Sequence, residues 1–348
     1  YYNDKKKVST EYLGLANFVV GILTVYFSIV IGNLGDRSTS KYRRKPLVML
    51  FAPMYAVGLF FRYGAFTSNS NAPVYYVVTL AIQVIGRTGM SITNDAWNME
   101  LSNEEVDRGR LYSTMTAVGV AGILLGLAMT AVPLILDGVF MSLGIIVSHV
   151  ANVVMIPEGT PMEKRCFIPM VTNISSVMWN SQYRVYLATM SMVWFLNSVP
   201  PLLLFFLRYA VGQNEVGAQL SYTLCLAAFI FVGFLALPCI PKLIETKGKQ
   251  FTANISLYGI MVCGVVMFGA SYLSPYAVIA LFGIVGFFST LSNTIFSVIA
   301  ADIVDYDELL TGMKRAASYT GTTNLPFMFI SIGGSSIPLV LMSVLGFE

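Results

Sequence analysis

Ten times along this chain a run of about 20 mostly apolar residues recurs, the length an α-helix needs to cross a bilayer. The runs lie near 13–31 (A), 47–66 (B), 73–94 (C), 112–136 (D), 139–156 (E), 186–207 (F), 220–241 (G), 251–273 (H), 276–299 (I) and 322–345 (J). Such spacing leaves no soluble domain. Charged residues make up only 11% of the 348 and apolar ones 56%, too few charges to coat a soluble surface of this size. A net charge of +3 gives no electrostatic footprint for nucleic acid. Cys166, Cys225, Cys239 and Cys263 show no CxxC spacing and His149 is the single histidine, so neither a metal centre nor a histidine-based enzyme is indicated. No phosphate-binding loop for ATP appears. The chain reads as an all-α, polytopic membrane protein.

Basic residues orient it. Lys and Arg fill the loops at 32–46, 95–111, 157–185, 242–250 and 301–321, whereas loops B/C, D/E and H/I carry none and F/G carries only Arg208. Basic loops stay cytoplasmic, which assigns the first set to that side. Lys5, Lys6 and Lys7 are the exception. Ten crossings put both ends on the far side, and one further helix before Tyr1 and one after Glu348 would place both termini with the basic loops. An internal repeat supports two halves of six helices. An offset of about 204 brings Arg43 and Lys45 onto Lys247 and Lys249, and about 205 brings Glu100 onto Asp305 and Arg110 onto Arg315. The expected organisation is an N-terminal bundle at 1–156, a central cytoplasmic loop at 157–185 and a C-terminal bundle at 186–348.

Three tracts are more specific. The A/B loop reads Gly32-Asn-Leu-Gly-Asp36-Arg37-Ser-Thr-Ser-Lys41-Tyr-Arg43-Arg44-Lys45-Pro46. The C/D region runs from Asn94-Asp95-Ala-Trp97 through Glu100 to Asp107-Arg108-Gly-Arg110. The I/J region reads Ala301-Asp302-Ile-Val-Asp305-Tyr306-Asp307-Glu308-Leu-Leu-Thr-Gly312-Met-Lys314-Arg315. These resemble, in order, the GxLxDRxxxRxGRRRP loop, the helix-four tract and the ADxxDYxExxTGxRR signature of the glycoside–pentoside–hexuronide:cation symporters of the major facilitator superfamily. The resemblance implies a fold of two pseudo-symmetric six-helix bundles, with segments A to J as the family's helices two to eleven. It implies a cytoplasmic gate built from Asp36, Arg37, Arg43, Arg44, Glu100, Asp107, Arg108, Arg110, Asp302, Asp305, Tyr306, Lys314 and Arg315. Asp36 and Glu100 are expected near arginines, Arg108 and Arg110 foremost, and Asp305 with Arg315.

The family's cation site uses acidic residues on helices one, two and four. Here Thr24 and Ser28 stand in helix two and Ser91 stands at the helix-four position, with Asp95 one turn on. A hydroxyl supplies no charge and takes up no proton, so sodium or proton coupling would fall to Asp95. A charge inside a bilayer costs about 2.5–3.5 kcal/mol on insertion scales, so each one needs a reason. Arg87 and Asp95, eight residues apart, fall within about 80° on one helix face. Trp194, Asn197, Asn293 and Asn324 offer the aromatic face and amide donors that suit a sugar or polar headgroup, although amides also tie helices together in lipid. Arg62 is expected to snorkel to the headgroups, and His149 to be a satisfied interhelical histidine rather than a relay. Asn173-Ile-Ser175 matches a glycosylation acceptor on the wrong side for use.

These readings point to a secondary carrier that moves a small polar organic solute, a sugar or glycoside or a lysolipid, by alternating access. No organic cofactor and no resident metal are implied; its surroundings are the bilayer and its partners the solute and any membrane complex it joins. The alternative is a transporter-derived, non-transporting subunit of a larger membrane assembly, motivated by the missing acids at 24, 28 and 91.

Overall fold

The computed structural model describes residues 10–37, 42–64, 66–68, 71–102, 104–129, 134–157, 169–197, 203–204, 206–270, 274–326 and 330. Among them every regular element is helical. The helices are α1 (Thr10–Arg37), α2 (Lys45–Gly64), α3 (Ala72–Glu100), α4 (Glu105–Met129), α5 (Leu134–Met155), α6 (Met170–Trp179) and α7 (Ser181–Asn197). A π-helical turn at Phe206–Ala210 precedes α8 (Glu215–Ala236), α9 (Cys239–Ala270), α10 (Pro275–Thr311) and α11, residues 316–326. Six of the described helices are long and apolar enough to cross a membrane: α1, α2, α5, α8, α9 and α10. Segment C and the described residues of segments D and F are also helical, chiefly in α3, α4 and α7. Of segment J only the start is described; 327–329 and 331–345, like Lys5, Lys6, Lys7, Cys166, Pro200 and Pro201, lie outside the described residues.

Local chemistry sets the helix ends. Pro73 stands in the first turn of α3, where its missing N–H costs nothing. Glu105 and Asp107 occupy the first turn of α4, favourable against the helix dipole. The Asn214 side chain caps α8 by accepting from the Gly217 N–H at 2.8 Å. Gly312, at φ +69°, ends α10 in the left-handed region that glycine adopts without strain. The backbone of α9 leaves helical geometry at Gly248.

The chain forms two compact units, each drawing on both halves of the sequence. The first comprises 1–101, 125–181 and 304–325, the second 102–124, 182–303 and 326–348. Grouping by compactness thus differs from grouping by chain order. Within the first unit α2 and α3 cross so closely that a Cβ on Gly58 would strike the backbone of Gln83, and one on Gly86 that of Tyr55. Contacts of backbone on backbone are how membrane helices gain packing when lipid offers no hydrophobic drive. Ala16 and Val20 of α1 meet Tyr76 and Leu80 of α3, and Ser142 of α5 donates to the Ala56 carbonyl of α2 at 2.9 Å. In the second unit Leu203 and Leu207 pack with Ala218, Cys225, Val278 and Phe282.

One expected loop is partly a helix. Residues 157–185 contain α6 and the start of α7. Met170, Ile174 and Val177 recur at helical spacing after Pro169, a pattern too short and too polar to register as a span.

Candidate functional site

Asp36 sits in the last turn of α1, where the helix dipole disfavours a carboxylate. The fold compensates it from three sides. Arg43 Nη2 reaches Asp36 Oδ1 at 3.0 Å and Arg44 Nη2 reaches the same oxygen at 3.1 Å. The backbone N–H groups of Ala317 and Ser318, in the first turn of α11, donate to Oδ1 and Oδ2 at 3.1 and 2.6 Å. The carboxylate that is misplaced on its own helix is well placed on the N-terminus of another. Glu100, the last residue of α3, receives Arg44 Nη2 at 2.6 Å and Arg43 Nη1 at 3.4 Å. Two cations therefore balance two anions. Side-chain exposure is 0% for Arg44, 6% for Arg43 and 7% for Asp36, so these charges depend on one another rather than on water. Burial pulls the Arg44 pKa down, but Glu100 and Asp36 outweigh it and hold it above its ordinary value. Arg43 also donates to the carbonyls of Gly35 at 3.2 Å and Lys314 at 3.0 Å.

Arg315, just before α11, makes the second cluster of this unit. Its fork grips Asp307 of α10, with Nη2 to Oδ1 at 2.6 Å and Nε to Oδ2 at 2.9 Å. The remaining guanidinium nitrogen donates to Asn173 Oδ1 at 3.3 Å and to the Ser176 hydroxyl, both on α6. Asn173 Nδ2 donates in turn to Ser318 Oγ at 2.9 Å, and Asn180 Nδ2 to the Tyr319 hydroxyl at 3.0 Å. Ser28 of α1 donates to the Gly321 carbonyl at 3.0 Å. The first turns of α11 are therefore clasped by α1 and by α6. The approach is close: a Cβ on Gly32 would overlap the Ala317 carbonyl oxygen, and one on Gly321 would press on the Ser28 carbonyl. Gly321→Val is expected to lower the melting temperature by several degrees, because the valine branch must displace backbone rather than a mobile side chain; an unchanged melting curve would show that the clasp is slack.

The second unit holds its own ion network. Asp302 of α10 receives Arg108 Nη1 of α4 at 3.0 Å and the Lys249 ammonium of α9, and Lys249 also meets Glu105 at 2.9 Å. Arg110 and Asp107 form a pair at 3.4 Å with both side chains more than half exposed, a geometry that contributes little. Lys314 and Glu308 pair at 3.5 Å.

Several expectations change. Arg108 and Arg110 are not the partners of Asp36 and Glu100; Arg43 and Arg44 are, because they stand directly ahead of α2 in the same unit, while Arg108 opens α4 in the other. Arg315 grips Asp307 rather than Asp305, two residues away and so on a different face of α10. Asp305 and Arg37 are half-buried and Tyr306 is exposed. Arg62 donates to Gln83 Oε1 at 2.8 Å and lies 5.4 Å from the centroid of the Tyr76 ring. His149 is held as expected, Nδ1 against the Ile145 carbonyl at 2.7 Å and Nε2 against Asn94 Nδ2 at 3.2 Å. Asn173 is buried and bonded at both ends of its amide, which closes it to glycosylation whatever side it faces.

On α3, Arg87 and Ser91 are exposed and the Ser91 hydroxyl donates to Asp95 Oδ2 at 3.2 Å. Thr24 and Ser28 do not join them. Thr24 bonds the Val20 carbonyl of its own helix at 2.8 Å, and Ser28, fully buried, is committed to Val25 and Gly321. In the second unit Trp194 and Asn293 are half-buried, Asn293 lying 3.5 Å from the Ser289 hydroxyl, and Asn197 closes α7. Asn324 is half-buried on α11 of the first unit. Among the described residues no group of histidine, cysteine and carboxylate side chains could hold a metal ion.

A family model described as MFS/sugar transport protein matches residues 1–348. The chain belongs to this family. Its members are transporters, not enzymes. An uncharacterized symporter, YjmB of Bacillus subtilis (strain 168), is 22% identical over 274 residues, covering 72% of this chain and 56% of that protein. The chain thus spans little more than half of this curated relative. Solved structures share the fold: the proton:xylose symporter XylE at TM-score 0.60 and 13% identity, over 99% of this chain and 84% of that one. A bacterial homologue of the iron transporter ferroportin, in an outward-facing state, also scores 0.60 at 13% identity, over 94% and 91%. The transporter FucP, in its outward conformation, scores 0.55 at 13% identity, again over 94% and 91%. The fold is the major-facilitator fold of a multi-pass membrane protein.

Proposed function

We propose that the protein is a symporter-like secondary transporter that moves a small polar organic solute by alternating access, and that the ion network at the basic ends of α1, α3 and α11 is its cytoplasmic gate. The observation that carries this reading is the grip of Asp36 on the α11 N-terminus, held by Arg43 and Arg44. A contact made of buried charges and one helix dipole has two discrete states, made or broken, which is what a gate requires. The positive-inside distribution of Lys and Arg supports a cytoplasmic location for this end. In this reading the bundles 1–156 and 186–348 rock about the solute, and the contacts of α11 with α1 and α6 form when the cytoplasmic end closes. In the same reading Arg37, Asp107, Arg108, Arg110, Asp302, Asp305, Tyr306 and Lys314 are the other members of the gate.

A sugar or glycoside is the favoured solute over a lysolipid, given the family's description and the sugars named for two of the structural neighbours. Arg87, Ser91, Asp95, Trp194, Asn197, Asn293, Asn324, Thr24 and Ser28 are the solute and ion candidates; the hydroxyls of Thr24 and Ser28 donate to carbonyls and keep oxygen lone pairs for an ion. The test is uptake of labelled monosaccharides and glycosides into proteoliposomes with imposed sodium or proton gradients. Asp95→Asn is expected to abolish gradient-driven uptake and leave solute exchange without a gradient intact, since only the carboxylate can change charge. Full sodium and pH dependence in that variant would remove Asp95 from coupling. The hydroxyls at 24, 28 and 91 favour one second reading, the non-transporting subunit. A folded protein that catalyses neither uptake nor exchange of any solute would support it.

A further inference from the structure

The first unit carries a cleft that the transport reading does not use. It lies between α2 and α5, has a volume of about 180 Å³, and is lined by Val48, Met49, Ala52 and Pro53 on one side and by five α5 residues from Ile146 to Val154 on the other. That volume is below the roughly 300–1,000 Å³ of sites that enclose a whole small molecule. Among the lining residues only His149 is polar, and its ring nitrogens are both satisfied, Nδ1 by the Ile145 carbonyl and Nε2 by the Asn94 amide. The cleft therefore offers no open hydrogen-bonding group to a sugar. Its floor is closed by Val48 and Ala52, and its rim is open at Met49, Val150 and Val154, which are more than half exposed on helices that cross the membrane.

Chemistry at one end of the cleft is different. Lys45 begins α2, and with Val48, Met49, Ala52 and Pro53 it stands at offsets of three, four, seven and eight residues, on one helix face. At 1.5 Å per residue Lys45 is about 6 Å from Met49 and about 12 Å from Pro53 along the axis. Its ammonium lies 5.9 Å from the centroid of the Trp97 ring, and Trp97 Nε1 donates to the Pro157 carbonyl just beyond α5, at 3.1 Å. Trp97 thus ties the end of α5 to α3 beside the start of α2. A cation and an indole at the head of an apolar slot are the pairing that bilayer interfaces select. We propose that this cleft binds one acyl chain of an anionic phospholipid, with the lipid phosphate on Lys45.

The test is native mass spectrometry of the full chain released from detergent with added phosphatidylglycerol or phosphatidylcholine of identical acyl chains. The protein should retain one phosphatidylglycerol in preference to phosphatidylcholine. Lys45→Gln should reduce that preference about fivefold, the contribution of one basic residue near an anionic surface. Val150→Trp and, independently, Val154→Trp fill the slot from its lipid-facing rim, where a larger side chain does not burden the core. Either should lower retention of both lipids by at least about tenfold, since displacing even two methylenes costs that much. Val147→Trp, equally exposed but outside the lining, should behave as the parent. Lipid retention unchanged in both cleft variants would overturn the proposal. So would equal retention of the two headgroups by the parent, or a loss in Val147→Trp as large as in Val150→Trp.

Discussion

Replacing Arg44 by methionine is expected to destabilise the purified protein by about 3–5 kcal/mol, the loss typical of removing one partner from a buried ion cluster. The guanidinium has no exposure and bonds both Asp36 and Glu100. Without it two carboxylates share Arg43 alone, and one negative charge is left in an environment that water does not reach. Arg44→Lys should recover little of the loss, because a single ammonium cannot present the planar fork that spans two carboxylates. Arg110→Ala is the comparison: its pair with Asp107 is open to solvent, and the change should stay within about 0.5 kcal/mol. Thermal unfolding in detergent reads all three. Equal effects at Arg44 and Arg110 would show that the buried cluster adds nothing to stability.

Asp36→Asn is expected to act on function as well as on stability, since it too takes a charge out of the buried cluster. Asparagine keeps the size of the side chain and one acceptor, but loses the charge that faces two guanidinium groups and two N–H groups of α11. Hydrogen bonds to a charged group are worth about 1.5–3 kcal/mol each, so weakening two of them shifts the balance between closed and open ends by about 3 kcal/mol. That is roughly a hundredfold in population. A carrier whose cytoplasmic end no longer closes firmly cannot complete its cycle, and solute uptake should fall by at least about tenfold while the protein stays folded. Uptake at the parental rate would separate the network from transport.

Much of this architecture was legible in the chain because the bilayer leaves so few options. Runs of 20 apolar residues can only be helices there, whatever their neighbours turn out to be. The members of the ion network were legible too, since Asp36, Arg43, Arg44, Glu100 and Arg315 stand in tracts too polar to lie in lipid. Their pairing was not. Which of four arginines meets Asp36 depends on how α2 and α4 are placed, and sequence spacing says nothing of that. Asp305 and Asp307 differ only in the face of α10 they occupy, a difference fixed by the packing of α6 and α11. The role of α6 was hidden for another reason: Asn173, Ser176 and Asn180 act through side-chain amides and a hydroxyl, which have no sequence signature of their own. Ser28 stands in the sequence only as a hydroxyl where the family has an acid, and nothing in the spacing shows that it is buried and bonded to the Gly321 carbonyl at a helix crossing.

Ser28 also provides the most direct test of the gate. Ser28→Cys places a thiol of nearly the same size where the parental side chain has no exposure, at the crossing of α1 and α11. In a background with the four native cysteines replaced, its rate of alkylation by a small water-soluble maleimide applied from the cytoplasmic side measures how often that end opens. The account predicts slow modification with Asp36 present and a rate raised by ten- to a hundredfold, roughly the population shift estimated above, when Asp36→Asn is added. Identical rates in the two backgrounds would contradict it.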